Sequence, residues 1–288
     1  MKKELFVVAD VHGYSNVLEI FLNEAGYDPS DSEYLFIDLG DRFDRGPDSK
    51  KIYEFYKELT DSGKAICLKG NHEFFMIDFL EGKDCFFNFI HNGFSKTIDS
   101  FLDMPDSYTL FCLYCAEYKN KDIARSLYGK RVEPLLDDFN SVPSEVRFEI
   151  YQDWARTTIL IRYPELLTWL KECPDYYETK NYIFTHASID GTCDDWHIPP
   201  KSPYEYWTDW QYLMWDNGSF FGSELKNTNK TVVVGHYHCD RIREKYNLEG
   251  IDGTNSILVR SDKKIIMIDT CTPMTKRVNV LTIKDELL

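Results

Sequence analysis

Leu5-Phe6-Val7-Val8-Ala9-Asp10-Val11-His12-Gly13 is the stretch on which the fold turns. Its short apolar run, Leu5–Ala9, is too brief for a helix and reads as a buried strand. The run stops at a carboxylate, an imidazole and a glycine, which suits a strand end that turns sharply while presenting polar side chains. The pattern recurs. Tyr34–Ile37 leads into Gly40-Asp41-Arg42-Phe43-Asp44-Arg45-Gly46, and Ala65–Leu68 into Gly70-Asn71-His72-Glu73. Tyr182–Thr185 leads into His186, and Val232–Val234 into Gly235-His236-Tyr237-His238. Helical stretches separate the first three strands. Ser15 is placed to cap one with Val17, Leu18, Phe21, Leu22 and Ala25 as apolar positions. Pro47 opens the next, with Ile52, Phe55, Tyr56 and Leu59 on one face and Gly63 at its end, and Glu73–Leu80 forms the third. Such alternation argues an α/β layered core.

Ligands of α/β sheets bind beyond the carboxyl ends of strands. Five such ends delivering oxygen and nitrogen donors can build a metal site, and mixed carboxylate, imidazole and amide donors suit Mn, Fe or Zn. Each motif alone has an ordinary reading: Asp-x-His pairs are mostly surface residues, Asn71 can cap a helix, and His-x-His can be two strand residues on one face. Their conjunction is not ordinary. Of seven histidines, His12, His72, His186, His236 and His238 fall in these turns, leaving His91 and His197.

From about residue 84 to 177 the chain turns helical or loop-like and aromatic, with helices expected around Ile123–Leu127, Glu145–Trp154 and Glu165–Leu170. Residues 102–178 read as a helical insertion or cap within a single domain, 1–288. Beyond residue 255, the apolar runs Ile257–Val259, Ile265–Ile268 and Val278–Ile283 predict an antiparallel meander. The aromatic series Tyr204, Tyr206, Trp207, Trp210, Tyr212 and Trp215 is able to stack a ring, but core packing is the expected role. Cys112-x-x-Cys115 has no second pair and no nearby histidine, so it reads as two thiols on an apolar face rather than a zinc site. Asp137-Asp138 and Asp194-Asp195 read as solvated loops.

Composition narrows the function. In 288 residues, 48 acidic and 33 basic side chains give a formal charge of −15, which disfavours nucleic acid and anionic membranes as partners. With 19 Phe, 19 Tyr and 6 Trp the chain has ample core material. No apolar run suggests a signal peptide or membrane span, and eight cysteines are too few for a disulfide scaffold, so a reducing cytoplasm is expected.

The ordered set Asp10-x-His12-Gly13, Gly40-Asp41-x-x-Asp44-Arg45-Gly46, Gly70-Asn71-His72-Glu73, His186 and Gly235-His236 resembles the calcineurin-like metallophosphoesterase superfamily. The Gly-Asp-x-x-Asp-Arg-Gly and Asn-His-Glu forms are most similar to the phosphoprotein phosphatases and their bacterial and phage-type members. The resemblance covers residues 5–101 and 180–283. It implies a four-layer α/β/β/α sandwich and two divalent metal ions, Mn, Fe or Zn, with Mn favoured in vitro. One ion would be held by Asp10, His12 and bridging Asp41, the other by Asp41, Asn71, His186 and His236. His238 shares the face of His236 if the strand continues, and is a further candidate ligand. A metal-bridging hydroxide would attack phosphorus, His72 would protonate the leaving oxygen, Asp44 would orient His72, and Arg45 would clamp the phosphate. The family's second phosphate-binding arginine has no counterpart, because residues 187–235 contain none. Lys201, Lys226 and Lys230, or Arg125, Arg131, Arg147, Arg156 and Arg162 of the insertion, are the substitutes on offer. The implied substrates are phosphomonoesters, including phosphoserine and phosphothreonine proteins. The alternatives are a nucleotide or dinucleoside polyphosphate hydrolase and a non-catalytic scaffold. The retained His72, Asp44 and Arg45 speak against the scaffold. Two cations would offset the acidic site locally, so the net charge still admits a small or locally presented phosphate.

Overall fold

The computed structural model describes residues 2–117, 142–205, 207–248 and 255–288. Two β-sheets face each other across an apolar interior, and helices cover their outer faces. The first sheet has the order β3-β2-β1-β9. Strands β1 (Lys2–Val8), β2 (Tyr34–Asp38) and β3 (Ala65–Cys67) run parallel, because helices α1 (Ser15–Glu24) and α2 (Ser49–Asp61) carry the chain back between them. β9 (Leu281–Glu286) closes the edge antiparallel to β1. In the second sheet, β5 (Tyr182–Thr185), β6 (Thr231–Val234) and β8 (Ile265–Met267) are parallel, with β4 (Tyr176–Glu178) and β7 (Leu258–Val259) antiparallel at the edges.

Alternation along the strands builds the layers. Leu5, Val7 and Ala9 point between the sheets to meet Phe184, Val233 and Ile268. Phe6 and Val8 point outward into the core under α1 and α2. Val232 and Val234 do the same on the far side, under Ile242 of a short helix at Cys239–Lys245. The four-layer α/β/β/α sandwich is the observed architecture. On α2, buried Ser49, Ile52, Tyr53, Tyr56 and Leu59 follow the three- and four-residue spacing of one helical face, and Gly63 takes φ +68° just past its end.

The described part of the aromatic middle is helical: α3 (Asn71–Leu80), α4 (Phe86–His91), α5 (Phe94–Leu102), α6 (Ser107–Glu117), α7 (Ser144–Arg162) and α8 (Leu166–Glu172). Phe101, Phe111, Phe148, Tyr151, Ile159 and Trp169 join the same apolar core as Phe6 and Phe36 of the first sheet. The helix expected at Ile123–Leu127, together with Arg125, Arg131 and Asp137-Asp138, lies outside the described residues.

Three local expectations are corrected. The strands after residue 255 form only the first pair of the expected meander, β7 antiparallel to β8; β8 also pairs parallel with β6, and β9 crosses to the other sheet to pair with β1. Residues 176–178, expected to be helical or loop, form β4. Ser15 is the first residue of α1 rather than its cap, and its hydroxyl donates to Asp48 Oδ2 at 3.0 Å.

Candidate metal centre

Every strand end singled out above arrives at one place, between the carboxyl edges of the two sheets. The loops after β1 and β2 are stitched together by backbone hydrogen bonds: Asp10 N to Gly40 O, His12 N to Asp41 O, and Gly46 N to His12 O, at 2.8–3.0 Å. Asp10, His12, Asp41, Asp44, Arg45 and His236 all take positive φ, from 49° to 72°. Non-glycine residues adopt that region at a cost, and concentrated strain of this kind marks functional sites. Glycine is required where the loops touch: a Cβ on Gly70 would run into the Asp41 carboxylate, and one on Gly235 into that of Asp10.

Asp41 is the common point. Its carboxylate belongs to two groups of converging donor atoms, one with His12 and His72, the other with His186 and His236. Main-chain carbonyls fix the ring orientations. His12 Nδ1 donates to Phe43 O at 2.8 Å and His186 Nδ1 to Leu39 O at 2.9 Å, which turns both Nε2 atoms inward. His186 Nε2 then lies 3.0 Å from Asn71 Oδ1 and 3.4 Å from Asp41 Oδ1, both acceptors. An imidazole nitrogen, an amide oxygen and a carboxylate oxygen converging on one point form the mixed donor set of a divalent metal site, and His236 Nδ1 adds a second nitrogen 3.2 Å from His186 Nε2. The donor chemistry thus fits divalent metal ions.

The remaining predicted residues are close by. Asp10 Oδ2 accepts the His236 N–H at 2.8 Å. His72 Nδ1 donates to Asp44 Oδ2 at 2.5 Å, and Asp44 Oδ1 takes the Thr97 hydroxyl. Arg45 donates to His12 Nε2 at 2.8 Å and approaches His72 Nε2 at 3.2 Å. His238 is outside both donor groups. It precedes the Cys239–Lys245 helix, and its Nε2 faces Asp269 Oδ2 at 3.8 Å. Asp269 was not singled out in the sequence. It is buried, its field acts on Asp10, and it follows β8 just as Asp10 follows β1. A sixth strand ending in a carboxylate was the signal that would have found it.

The electrostatics sort the donors. Burial, with Asp269 and Asp41 nearby, pushes Asp10 well above the usual carboxylate range. Burial opposes ionisation of Asp41 too, but the His186, His72, His12 and His236 rings overcome it and hold that carboxyl well below the usual range. Burial pulls His12 well below its ordinary value, with Arg45 and His72 adding to the effect, and burial with His186 takes His236 down to about 3. Lowered His12 and His236 beside an Asp41 that ionises readily favour the deprotonated donors that metal ligation needs. His72 differs: burial lowers it, but Asp41 and Asp44 raise it above a free imidazole.

A further wall was misjudged as core. Trp215 is 40% exposed and stacks on Trp207, with ring centroids 5.6 Å apart and planes 10° apart. Its ring meets His236 edge-on at 6.1 Å and Phe75 at 6.0 Å. The helix at Asp209–Leu213 buries none of its residues, so this segment lies over the rim of the site. Trp210 does pack inward, on Tyr176 at 5.1 Å; Tyr206 is outside the described residues. Of the candidate second clamps, Lys201, Lys226 and Lys230 pair with Asp209, Glu224 and Glu178, and Arg156 and Arg162 bond Asp153 and Leu102 O. Among the described residues, no helix is long and apolar enough to cross a membrane.

Comparisons with known proteins agree with this geometry. The family model described as calcineurin-like phosphoesterase matches residues 4–267. Serine/threonine-protein phosphatase 2B catalytic subunit A1 of Saccharomyces cerevisiae is 40% identical over 76 residues, 25% of this chain and 13% of that protein. The symmetrical bis(5'-nucleosyl)-tetraphosphatase of Photorhabdus laumondii is 29% identical over 102 residues, 35% of this chain and 34% of that protein. Serine/threonine-protein phosphatase 1 of Salmonella typhimurium is 33% identical over 76 residues, 26% of this chain and 32% of that protein. The matches therefore span only a minor part of these relatives' own length. A solved cold-active protein tyrosine phosphatase superposes with a TM-score of 0.50 at 16% identity, over 99% of this chain and 80% of that one, a likeness of fold.

Proposed function

The chain belongs to the calcineurin-like phosphoesterase family, and from that premise we propose that it hydrolyses phosphomonoesters, phosphoserine and phosphothreonine proteins among them, at a centre of two divalent cations. The ligands are Asp10, His12, Asp41, Asn71, His186 and His236, with His238 contributing through Asp269. Such a pair of ions supplies positive charge for the phosphate and an activated water. The chain's own groups do the rest. Arg45 reaches over His12 and His72, where its planar fork can grip two phosphate oxygens. His72, raised by Asp41 and Asp44, delivers a proton from Nε2, the nitrogen that faces Arg45, to the leaving oxygen. Asp44 stays behind it, anchored by the Thr97 hydroxyl.

The observation that carries this reading is the approach of His186 Nε2 to Asn71 Oδ1 at 3.0 Å and to Asp41 Oδ1 at 3.4 Å, on the carboxylate that both donor groups share. A second reading, hydrolysis of nucleotides or dinucleoside polyphosphates, draws its support from the Trp207–Trp215 stack beside His236, a surface on which a base can lie. Relatives are named for each activity. The purified protein with Mn²⁺ is to be tested on an aryl phosphate, a phosphopeptide and diadenosine tetraphosphate. Asp41→Asn is expected to abolish both metal loading and turnover. Absence of turnover of all three substrates by Mn²⁺-loaded wild type would refute the hydrolase and favour a scaffold.

A further inference from the structure

Beneath the centre lie three charged side chains that the phosphoryl chemistry does not use: Asp38, Arg42 and Glu73, all fully buried. Arg42 occupies an unspecified position of the Gly-Asp-x-x-Asp-Arg-Gly motif, where nothing in the chemistry asks for a cation. Burying a guanidinium is costly unless every donor finds a partner. Here the fork is filled. Nε donates to Asp38 Oδ2 at 2.9 Å, Nη2 to the Leu68 carbonyl, and Nη1 faces Cys173 Sγ at 3.8 Å. The guanidinium lies 5.2 Å from the Trp169 ring and 3.9 Å from Glu73 Oε1.

Glu73 in turn spends its carboxylate on three backbone N–H groups: Asp41 at 2.8 Å, Arg42 at 3.0 Å and Gly70 at 2.7 Å. The Gly70 bond is the one half of a capping box open to a glycine N-cap, the N3 Glu73 carboxylate accepting the N-cap N–H of helix α3. The other two are not caps. They tie the loop that carries Asp41 to the loop that carries Asn71 and His72, and Asp41 Oδ1 returns the tie by accepting the His72 N–H at 3.0 Å. Asp41 holds a left-handed φ of 56° within this grip. Removing the grip lets the backbone relax and moves the carboxylate that both donor groups share.

We propose that Arg42 and Glu73 are positioning residues of the metal centre, fixing the Asp41 backbone and linking it through Trp169 and Cys173 to helix α8. The inference rests on the two-metal reading. Arg42→Lys keeps the charge but lacks the fork, and cannot reach Asp38 and Leu68 O together. Glu73→Gln keeps the shape but turns one acceptor into a donor facing an N–H. Outer partners of metal ligands are typically worth 10–100-fold in metal affinity.

The test is calorimetric titration of chelator-stripped protein with Mn²⁺, alongside the melting temperature of each variant before metal is added. Asp285→Asn serves as the control for destabilisation alone. Asp285 is buried far along the fold, where it accepts from Thr179 and Asn181. Arg42→Lys and Glu73→Gln are expected to bind Mn²⁺ roughly tenfold or more weakly, while Asp285→Asn binds as wild type. Should Glu73→Gln fail to fold, Arg42→Lys carries the test. Wild-type affinity in folded Arg42→Lys, or an equal loss in Asp285→Asn, overturns the inference. A wild-type protein that binds no Mn²⁺ overturns the two-metal reading itself, and this inference with it.

Discussion

Asp44→Asn offers the sharpest view of the proposed acid. His72 Nδ1 and Asp44 Oδ2 are 2.5 Å apart and both residues are buried, while Asp41 Oδ2 lies 3.8 Å from His72 Nε2. Burial works against the imidazolium, yet the two carboxylates raise it above its ordinary 6.5. A hydrogen bond to a charged group contributes about 1.5–3 kcal/mol. Replacing Asp44 by the neutral amide removes that bond and one of the two carboxylates that raise His72, so its pKa falls. The sign follows from the role: His72 acts as an acid, so turnover falls as pH rises through its pKa. The alkaline limb of the kcat–pH profile therefore moves toward acid in Asp44→Asn. Stability follows the same direction. The raised pKa stabilises the fold fully below 6.5 and the benefit is lost as pH rises through the folded value, so the variant loses most stability in acid. The assay compares glycerol 2-phosphate, whose alkoxide needs a proton, with p-nitrophenyl phosphate, whose phenolate leaves without one. The aliphatic ester should lose far more rate. An unmoved alkaline limb, or equal losses on both esters, would refute the assignment of His72 as acid and Asp44 as its support.

Two further outcomes are expected. Mn²⁺ at a hundred times its dissociation constant should add about 2.7 kcal/mol of stability, raising Tm by several degrees in a scan that a chelator reverses; an unchanged Tm contradicts the donor-set reading. Trp207→Ala should lower the ratio of kcat/KM for diadenosine tetraphosphate over glycerol 2-phosphate roughly tenfold, since a base stacked on an aromatic ring contributes about 1–3 kcal/mol. A ratio that does not move removes the nucleotide reading and leaves the phosphomonoesterase.

The strand ends were legible because short apolar runs broken by glycine and polar residues leave few other structures open. Leu5–Ala9 and Val232–Val234 needed no partner information to be read as strands. The destination of residues 281–286 was not legible. Their alternating burial suits any antiparallel edge, and pairing with β1 is decided by a strand at the other end of the sequence. Trp207 and Trp215 were misread because hydrophobicity alone does not distinguish an interior from a rim. Asp269 was passed over because one aspartate after a strand is commonplace; only the arrival of β8 beside β6 gives it meaning. Arg42 would ordinarily be assigned to the surface by its charge, and its burial became readable only with Asp38 and Glu73 around it.

The pairing of β9 with β1 also sets the order in which this molecule can become whole. Synthesis makes β1 long before β9, so Leu5, Phe6 and Val7 meet their partners Ile283, Thr282 and Leu281 only when β9 emerges. Until then the ribosome holds out a sheet with an open edge, which invites pairing with other chains. The centre waits as well: the bond from His236 N to Asp10 Oδ2 joins residues 226 positions apart. Contacts of that reach make for slow folding, so a cell producing this protein has reason to shield the nascent β1 edge until β9 has emerged.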